Sequence, residues 1–381
     1  MSLMTIPQEL VQKTVEAIRG LAKEAVKKKN KEVIKIMHVC GTHEHTVTHN
    51  GLRSLMPPEV ELIAGPGCPV CVTPAAAVDA LIDLSLSGVR VYAYGDVYKL
   101  PGTKGSLAVA KARGGDVKVV YGFLDAIRDA KQYGKEAVFF GVGFETTVVT
   151  VAGPIYDGRV PKNLKVLSAY LLTAPGLKRA IEAHEATGIP LDGIIAPGHV
   201  SSVIGANAWK YLPEEFGFPT VVAGFEAYDY LLAVAEILRQ IVRGEAKLVN
   251  EYSRVVRPEG NVTAWRKVME VFDVVDAYWR GIGVLPESGL AFKEKYKDYD
   301  AAAEYGIEIK PTERELPPGC KCAEINLGIA KPTDCPYFKT RCTPTTPIGP
   351  CMVSDEGTCS IWARFGGGGL VEELARLAGI E

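Results

Sequence analysis

Eight short apolar runs rich in β-branched residues, each closed by a turn and followed by a helical pattern, constrain this chain most. They cover residues 33–39, 60–64, 89–94, 117–121, 137–142, 164–169, 193–196 and 220–223. Helical segments intervene, among them 75–87, after a Thr73-Pro74 start, and 175–187. Strands alternating with helices imply parallel sheets covered on both faces. The turn motifs also repeat weakly. Gly143-Phe144-Glu145-Thr146 recurs as Gly224-Phe225-Glu226-Ala227, and Gly65-Pro66-Gly67-Cys68 is echoed by Ala196-Pro197-Gly198-His199. The pattern predicts an α/β fold with two similar domains, residues 1–133 and 134–248. Sites in such sheets form at the carboxyl ends of the strands, where these motifs fall.

Beyond residue 250 the texture changes. Helical patterns at 262–276 and 291–304 lead into a loop-rich tail, and residues 311–350 hold eight prolines. That density excludes a long helix or a central strand. The segment needs another source of order, for which a metal centre is the obvious candidate. Residues 249–381 are therefore read as a third, loop- and helix-rich domain, with a flexible Gly366–Gly369 run and a short amphipathic helix at its end.

Nine cysteines are distributed unevenly. Cys40, Cys68 and Cys71 precede residue 320; Cys320, Cys322, Cys335, Cys342, Cys351 and Cys359 fall within 40 residues. An odd number, in a chain without a secretory h-region, reads poorly as a disulfide framework, and metal or redox chemistry fits better. Four thiolates can hold one iron–sulfur cluster or one zinc. Zinc sites usually carry paired C-x2-4-C knuckles, which the tail lacks, so the spacing favours a 4Fe–4S cluster; zinc, or buried structural cysteines, are the alternatives. Two thiols are then left over. Cys320-Lys321-Cys322 can put one sulfur on a cluster and aim the other at a neighbouring thiol, as cluster-to-disulfide electron transfer requires.

Cys40-Gly41-Thr42-His43-Glu44-His45-Thr46 begins where the first strand ends. A thiolate there faces the positive end of the following helix, which is expected to lower its pKa and favour metal binding. The spacing of Cys40 and His43 is compatible with one mononuclear metal, whereas His38 and His49 read as structural. Cys68-Pro69-Val70-Cys71 follows the second strand and has redox geometry, with a plain zinc site as the competing reading. Glu145, with Thr146 and Thr147, and Glu226 are candidate acid/base groups; capping of a helix start is the alternative for both.

Lys and Arg number 43 against 45 Asp and Glu, a net charge of −2 that argues against a nucleic-acid partner. No run of 18 apolar residues suggests a membrane span, and a cytoplasmic protein is expected.

Together, CGTHEHT (40–46), GPGCPVC (65–71), GFETT (143–147) and the tail, from its C-x-C to the closing CTPTTPIGPCMVSDEGTC (342–359), resemble the HypD family over nearly the whole chain. The family matures nickel–iron hydrogenases. The resemblance implies a scaffold for assembly of an Fe(CN)2CO unit, with iron held between Cys40, His43 close by, and a cysteine of the chaperone HypC. It also implies HypE as cyanide donor, and a third domain whose 4Fe–4S surroundings are similar to those of ferredoxin:thioredoxin reductase. Carried over, Cys320, Cys335, Cys342 and Cys359 are the cluster ligands, and Cys322 with Cys351 the adjacent redox pair leading to Cys68 and Cys71. Which member of Cys320/Cys322 and of Cys351/Cys359 binds stays open. A stand-alone iron–sulfur thiol-disulfide oxidoreductase and a zinc-bearing interaction module are the competing functions.

Overall fold

A computed structural model describes residues 7–366. The helix expected after Gly369 and most of the glycine run lie outside the described residues. Eleven strands are present among those described: β1 (Ile34–His38), β2 (Val60–Ala64), β3 (Arg90–Ala93), β4 (Val117–Val119), β5 (Ala137–Gly143), β6 (Leu164–Tyr170), β7 (Gly193–Pro197), β8 (Thr220–Ala223), β9 (Leu248–Asn250), β10 (Phe272–Trp279) and β11 (Gly283–Phe292). Each of the eight predicted runs contains one of the first eight strands, to within a residue or so at the ends.

These strands build two parallel sheets, ordered β2-β1-β7-β8-β9 and β4-β3-β5-β6. In both, the first strand in sequence lies second from the edge and its successor takes the outer place. The two sheets thus share one build, as the α/β pattern implies.

The chain divides differently from the expected cut. It lays down β1 and β2, leaves to build the whole second sheet, then returns for β7–β9. A boundary at 133/134 falls between β4 and β5, yet both of these pair with β3. Crossover helices let a strand insert beside any earlier one, so linear order does not reveal which strands are neighbours.

Helices cover the sheets. Gln8–Lys29 packs against Ala227–Arg243 through Ile18, Ala22 and Ala25 on one side and Val234, Ile237 and Ile241 on the other. Its last turn carries Lys27, Lys28 and Lys29, favourable beside the carbonyl end, and Asn30 closes it at φ 52°.

Two predicted helices are corrected in part. The helix at 262–276 stops at Val271, where β10 begins, and β11 occupies the start of 291–304, leaving only 3-10 turns and the short helix Ala301–Tyr305. Phe272-Asp273-Val274-Val275 carries β-branched and aromatic residues whose burial needs a partner sheet. The hairpin finds one: β11 meets the end of β6, with Leu172 N–H bonded to Ser288 O at 2.9 Å. The third region is accordingly docked on the second sheet. Its buried cysteines share one apolar cluster with Val70, Leu81, Val97 and Met352.

Candidate metal and thiol centre

Cys40 ends β1 with an extended backbone (φ −162°) and immediately precedes the helix Gly41–His49. Main-chain N–H groups of Thr42 and His43 face its sulfur, as the helix-start reading requires. The expected fall in its pKa does not follow. Burial in the surrounding protein, then the nearby Glu356 carboxylate, outweigh those N–H groups and push the Cys40 thiol up to about 11, although the residue keeps some exposure. A positive partner, such as a metal ion, would reverse that balance.

The turn 65–71 is pressed onto Cys40. A Cβ on Gly67 would lie 2.5 Å from Cys40 Cα, and Gly41 N–H donates to Gly67 O at 3.3 Å. The tail closes the other side, because a Cβ on Gly41 would meet Glu356. Cys68 and Cys71 are joined as a disulfide, with Cα atoms 5.4 Å apart. Cys71 Sγ in turn faces Gly357, whose own missing Cβ would lie 3.2 Å from that sulfur and would collide with Cys351 O. Segments 40–43, 65–71 and 351–357 therefore meet at backbone contact distance.

The six tail cysteines gather at one locus. Cys320 and Cys322 sulfurs are 3.4 Å apart. Cys351, fully buried, accepts hydrogen bonds from the thiols of Cys322 and Cys359 and from Cys359 N–H at 3.3 Å, which favour its thiolate. Cys320 interacts with Cys335, and Cys342 accepts from Ile348 N–H at 3.3 Å. A Cβ on Gly349 would sit 2.6 Å from Cys322 Sγ and 2.9 Å from Cys320 Sγ, so glycine leaves open a cradle against the sulfurs. Buried thiols around such a cradle suit a soft, polynuclear iron–sulfur group. Among the described residues, no three His, Cys, Asp or Glu side chains converge on a point suited to one ion.

His43 is placed differently from a Cys40 chelate partner. Its ring is fully buried, stacks on Phe225 with centroids 4.7 Å apart, and bonds through Nε2 to Gly224 O at 2.9 Å. That bond puts the proton on Nε2 and leaves the Nδ1 lone pair without a partner. Burial, then the neighbouring His38, lower its pKa to about 3, so the ring is neutral. The group of His43 that faces Cys40 is its main-chain N–H.

Glu145 is committed elsewhere. Its carboxylate accepts from Thr173 N–H at 2.8 Å and Thr173 Oγ1 at 2.6 Å, capping the helix Thr173–Ala186. Glu226 caps the helix Ala227–Arg243 in a reciprocal pair with Asp229. For both residues, the hydrogen bonds are those of the capping alternative. Thr146 and Thr147 instead line a cleft of about 960 Å³ at the carboxyl ends of β3, β4 and β5, floored by Pro69 and Val70 and bounded by Glu356. This is the switch point of the second sheet, where β3 and β4 run to one side and β5 to the other.

Sequence reasoning gave no role to Glu44. The carboxylate is 1% exposed and accepts from Thr48 Oγ1 (2.6 Å), Arg53 (2.7 and 3.0 Å) and Trp362 Nε1 (2.7 Å), with His38 Nε2 at 2.9 Å. Burial raises its pKa, but the Arg53 charge and the His38 bond prevail and hold it well below the usual carboxylate range. Trp362 belongs to the helix Thr358–Phe365, which carries Cys359, so Glu44 ties the Cys40 helix to the cysteine-rich tail. An acidic residue between two histidines was the only visible signal; its partners are distant in sequence.

Two parallel sheets whose carboxyl ends face a locus of clustered cysteines define an α/β protein with a cysteine-rich third region. Residues 9–366 match the HypD family model, described as hydrogenase formation hypA family. The chain is 42% identical to a Methanocaldococcus jannaschii protein named for hydrogenase expression and formation, over 91% of this chain and 98% of the relative. It is 40% identical to hydrogenase maturation factor HypD2 of Bradyrhizobium diazoefficiens and 38% identical to HypD of Escherichia coli, each over 87% of this chain and 89% of the relative. The chain belongs to the HypD family of hydrogenase maturation factors. No helix among the described residues is long and apolar enough to cross a membrane.

Proposed function

We propose that this protein holds iron at Cys40, shared with a cysteine of HypC, while an Fe(CN)2CO unit is assembled for a nickel–iron hydrogenase with cyanide delivered by HypE. The observation that carries the reading is the convergence of Cys40, the Cys68–Cys71 pair and the six tail cysteines on one locus through glycine contacts.

Cys320, Cys335, Cys342 and Cys359 would hold a 4Fe–4S cluster, which supplies single electrons when bound. Cys322 and Cys351 are the dithiol of this reading; the Cys322 thiol bonds to Cys351, as the Cys359 thiol also does. Gly357, packed between the Cys351 main chain and Cys71 Sγ, keeps the tail close to the Cys68–Cys71 disulfide, which supports passage of reducing equivalents to it. Opening that disulfide consumes two electrons and two protons and yields two thiols. Re-closing the pair to the disulfide returns two electrons and two protons, the number that release of cyanide from a thiocyanate group requires. Partial exposure of Cys40 leaves it reachable by a partner sulfur, whereas the tail thiols other than Cys320, which is also partly exposed, are buried and shielded from solvent oxidants.

The test is anaerobic co-purification with HypC, followed by infrared spectroscopy for CN and CO bands. The bands vanish in Cys40→Ala. Their persistence in that variant would remove Cys40 as the iron ligand. A colourless chain with stoichiometric zinc after anaerobic isolation would overturn the cluster assignment. Turnover of a generic protein disulfide without HypC or HypE would instead favour a stand-alone oxidoreductase.

A further inference from the structure

Arg280 is 3% exposed, in the turn between β10 and β11. Its main-chain N–H donates to Val72 O at 2.9 Å, directly after the Cys68–Cys71 pair. Its Nε donates to Glu315 O at 2.7 Å, and Nη1 to Pro101 O at 2.7 Å. The next residue, Gly281, lies so close to the helix Cys322–Asn326 that a Cβ on it would sit 3.2 Å from Ala323 Cβ. Arg280 thus abuts the redox turn through its main chain, the residue after it abuts the helix that begins at Cys322, and its guanidinium is buried against the Glu315 and Pro101 carbonyls between these elements.

A guanidinium stays charged when buried, and taking that charge out of water is costly unless partners in the protein compensate it. Compensation here is partial. Two carbonyls accept from it, and the Glu315 carboxylate stands 3.7 Å from Nε without bonding to it, since that carboxylate is used by Ala75 N–H and by Thr312 N–H and Oγ1. Asp79, the other carboxylate nearby, is occupied by Thr103 and Lys104. Burial lowers the Arg280 pKa, and the Glu315, Cys322, Asp79 and Cys320 charges oppose that fall, so the cation is coupled electrostatically to both sulfurs of the C-x-C pair. A well-packed apolar residue would hold this turn at lower cost, so the charge itself calls for an explanation.

We propose that Arg280 is an electrostatic tuning residue that raises the reduction potential of the thiol-bound centre beside Cys320 and Cys322. This rests on the reading that the tail cysteines hold a 4Fe–4S cluster. One-electron reduction adds one negative charge to a centre already made anionic by its thiolates, and a fixed cation in a low-dielectric wall stabilises the more negative form. Potentials of such clusters respond to net charge and solvent exposure. The sign follows from charge alone. Removing the guanidinium makes the surroundings one unit more negative and reduction harder; neutralising Glu315 does the reverse.

The experiment uses the full chain, reconstituted anaerobically with iron and sulfide and titrated with dithionite while the reduced centre is followed by electron paramagnetic resonance. Arg280→Gln is expected to shift the midpoint to a more negative potential, Arg280→Lys to stay near wild type, and Glu315→Gln to shift it to a more positive one. Equal midpoints for wild type and Arg280→Gln overturn the proposal, as does an equal shift in Arg280→Gln and Arg280→Lys. If Arg280→Gln does not fold, Glu315→Gln decides, and an unchanged midpoint there overturns it. Failure of the wild-type chain to take up any cluster sinks the underlying reading and the proposal together. A loaded wild type with unmoved variant midpoints sinks the proposal alone.

Discussion

Trp362 donates its indole N–H to Glu44 at 2.7 Å, across 318 positions of sequence. The bond joins the helix that starts at Cys40 to the one that carries Cys359, and Arg53 reinforces it by lying over the Trp362 ring at 5.2 Å. Trp362→Phe removes one donor from a buried anion and keeps the ring. A hydrogen bond to a charged group is worth about 1.5–3 kcal/mol, and that loss is expected in urea unfolding. Glu44→Gln also leaves Arg53 and His38 without their anion, for about 3–5 kcal/mol. The two changes are expected to be non-additive in a double-mutant cycle.

His43 gives stability a dependence on pH. Its folded pKa, about 3, lies below the unfolded value of 6.5, so the unfolded chain binds the extra proton between those limits. The contribution is complete above pH 6.5 and is lost as the pH falls from there toward 3. At pH 5 the loss amounts to about 2 kcal/mol. Denaturant titrations of wild type and His43→Gln across pH 4.5–7.5 check this, and the variant is expected to show the flatter profile. Equal slopes for the two chains would assign the dependence to other groups.

Glu145 caps a helix, and its substitution is expected to register in stability first. Glu145→Ala costs about 1–2 kcal/mol, in line with the loss of a helix cap. Glu145→Gln keeps an acceptor for Thr173 and retains hydrogenase maturation in a complementation assay. A stable Glu145→Gln chain that matures no hydrogenase would restore the acid/base role.

Gly349 and Gly67 are places where a single methyl group is expected to act locally. Gly349→Ala presses on Cys320 and Cys322, so iron and sulfide uptake per chain falls while the Cys68–Cys71 pair still forms; normal uptake would show that the cradle can yield. Gly67→Ala places its methyl against the Cys40 backbone, which cannot swing aside as a side chain would. Destabilisation by about 1–3 kcal/mol is expected on unfolding, as for overpacked sites.

Glu356 works in the opposite sense to His43. Desolvation of its carboxyl, with the Asp96 and Asp355 charges adding to it, raises its pKa to about 7, although the residue as a whole is exposed. The folded chain then holds a proton that the unfolded chain releases above about pH 4.5. This contribution is present below pH 4.5 and lost as the pH rises through 7. Glu356→Gln is therefore expected to stabilise the protein at pH 8 relative to wild type and to change little at pH 4.5, as read by thermal unfolding.

Local sequence determined eight of the eleven described strands and the chemistry on offer. A β-branched run such as Val60–Ala64 announces itself by composition, and nine thiols in this arrangement limit the chemistry whatever their positions. The order of the strands was decided only in three dimensions, because β7 can pair with β1 just as well as a strand adjacent in the chain. The hairpin β10–β11 was illegible for the same reason, since its residues become strand-like only against β6. At the site, glycine contacts at Gly67, Gly349 and Gly357 decide which sulfurs meet, and those contacts depend on backbone approach rather than on residue spacing. Tertiary burial also overruled local expectation at Cys40: the helix start favours a thiolate, but desolvation and Glu356 act over the whole environment and raise its pKa. Short-range terms of conformation and composition are written along the chain, whereas desolvation and charge coupling are sums over neighbours that only the fold brings together.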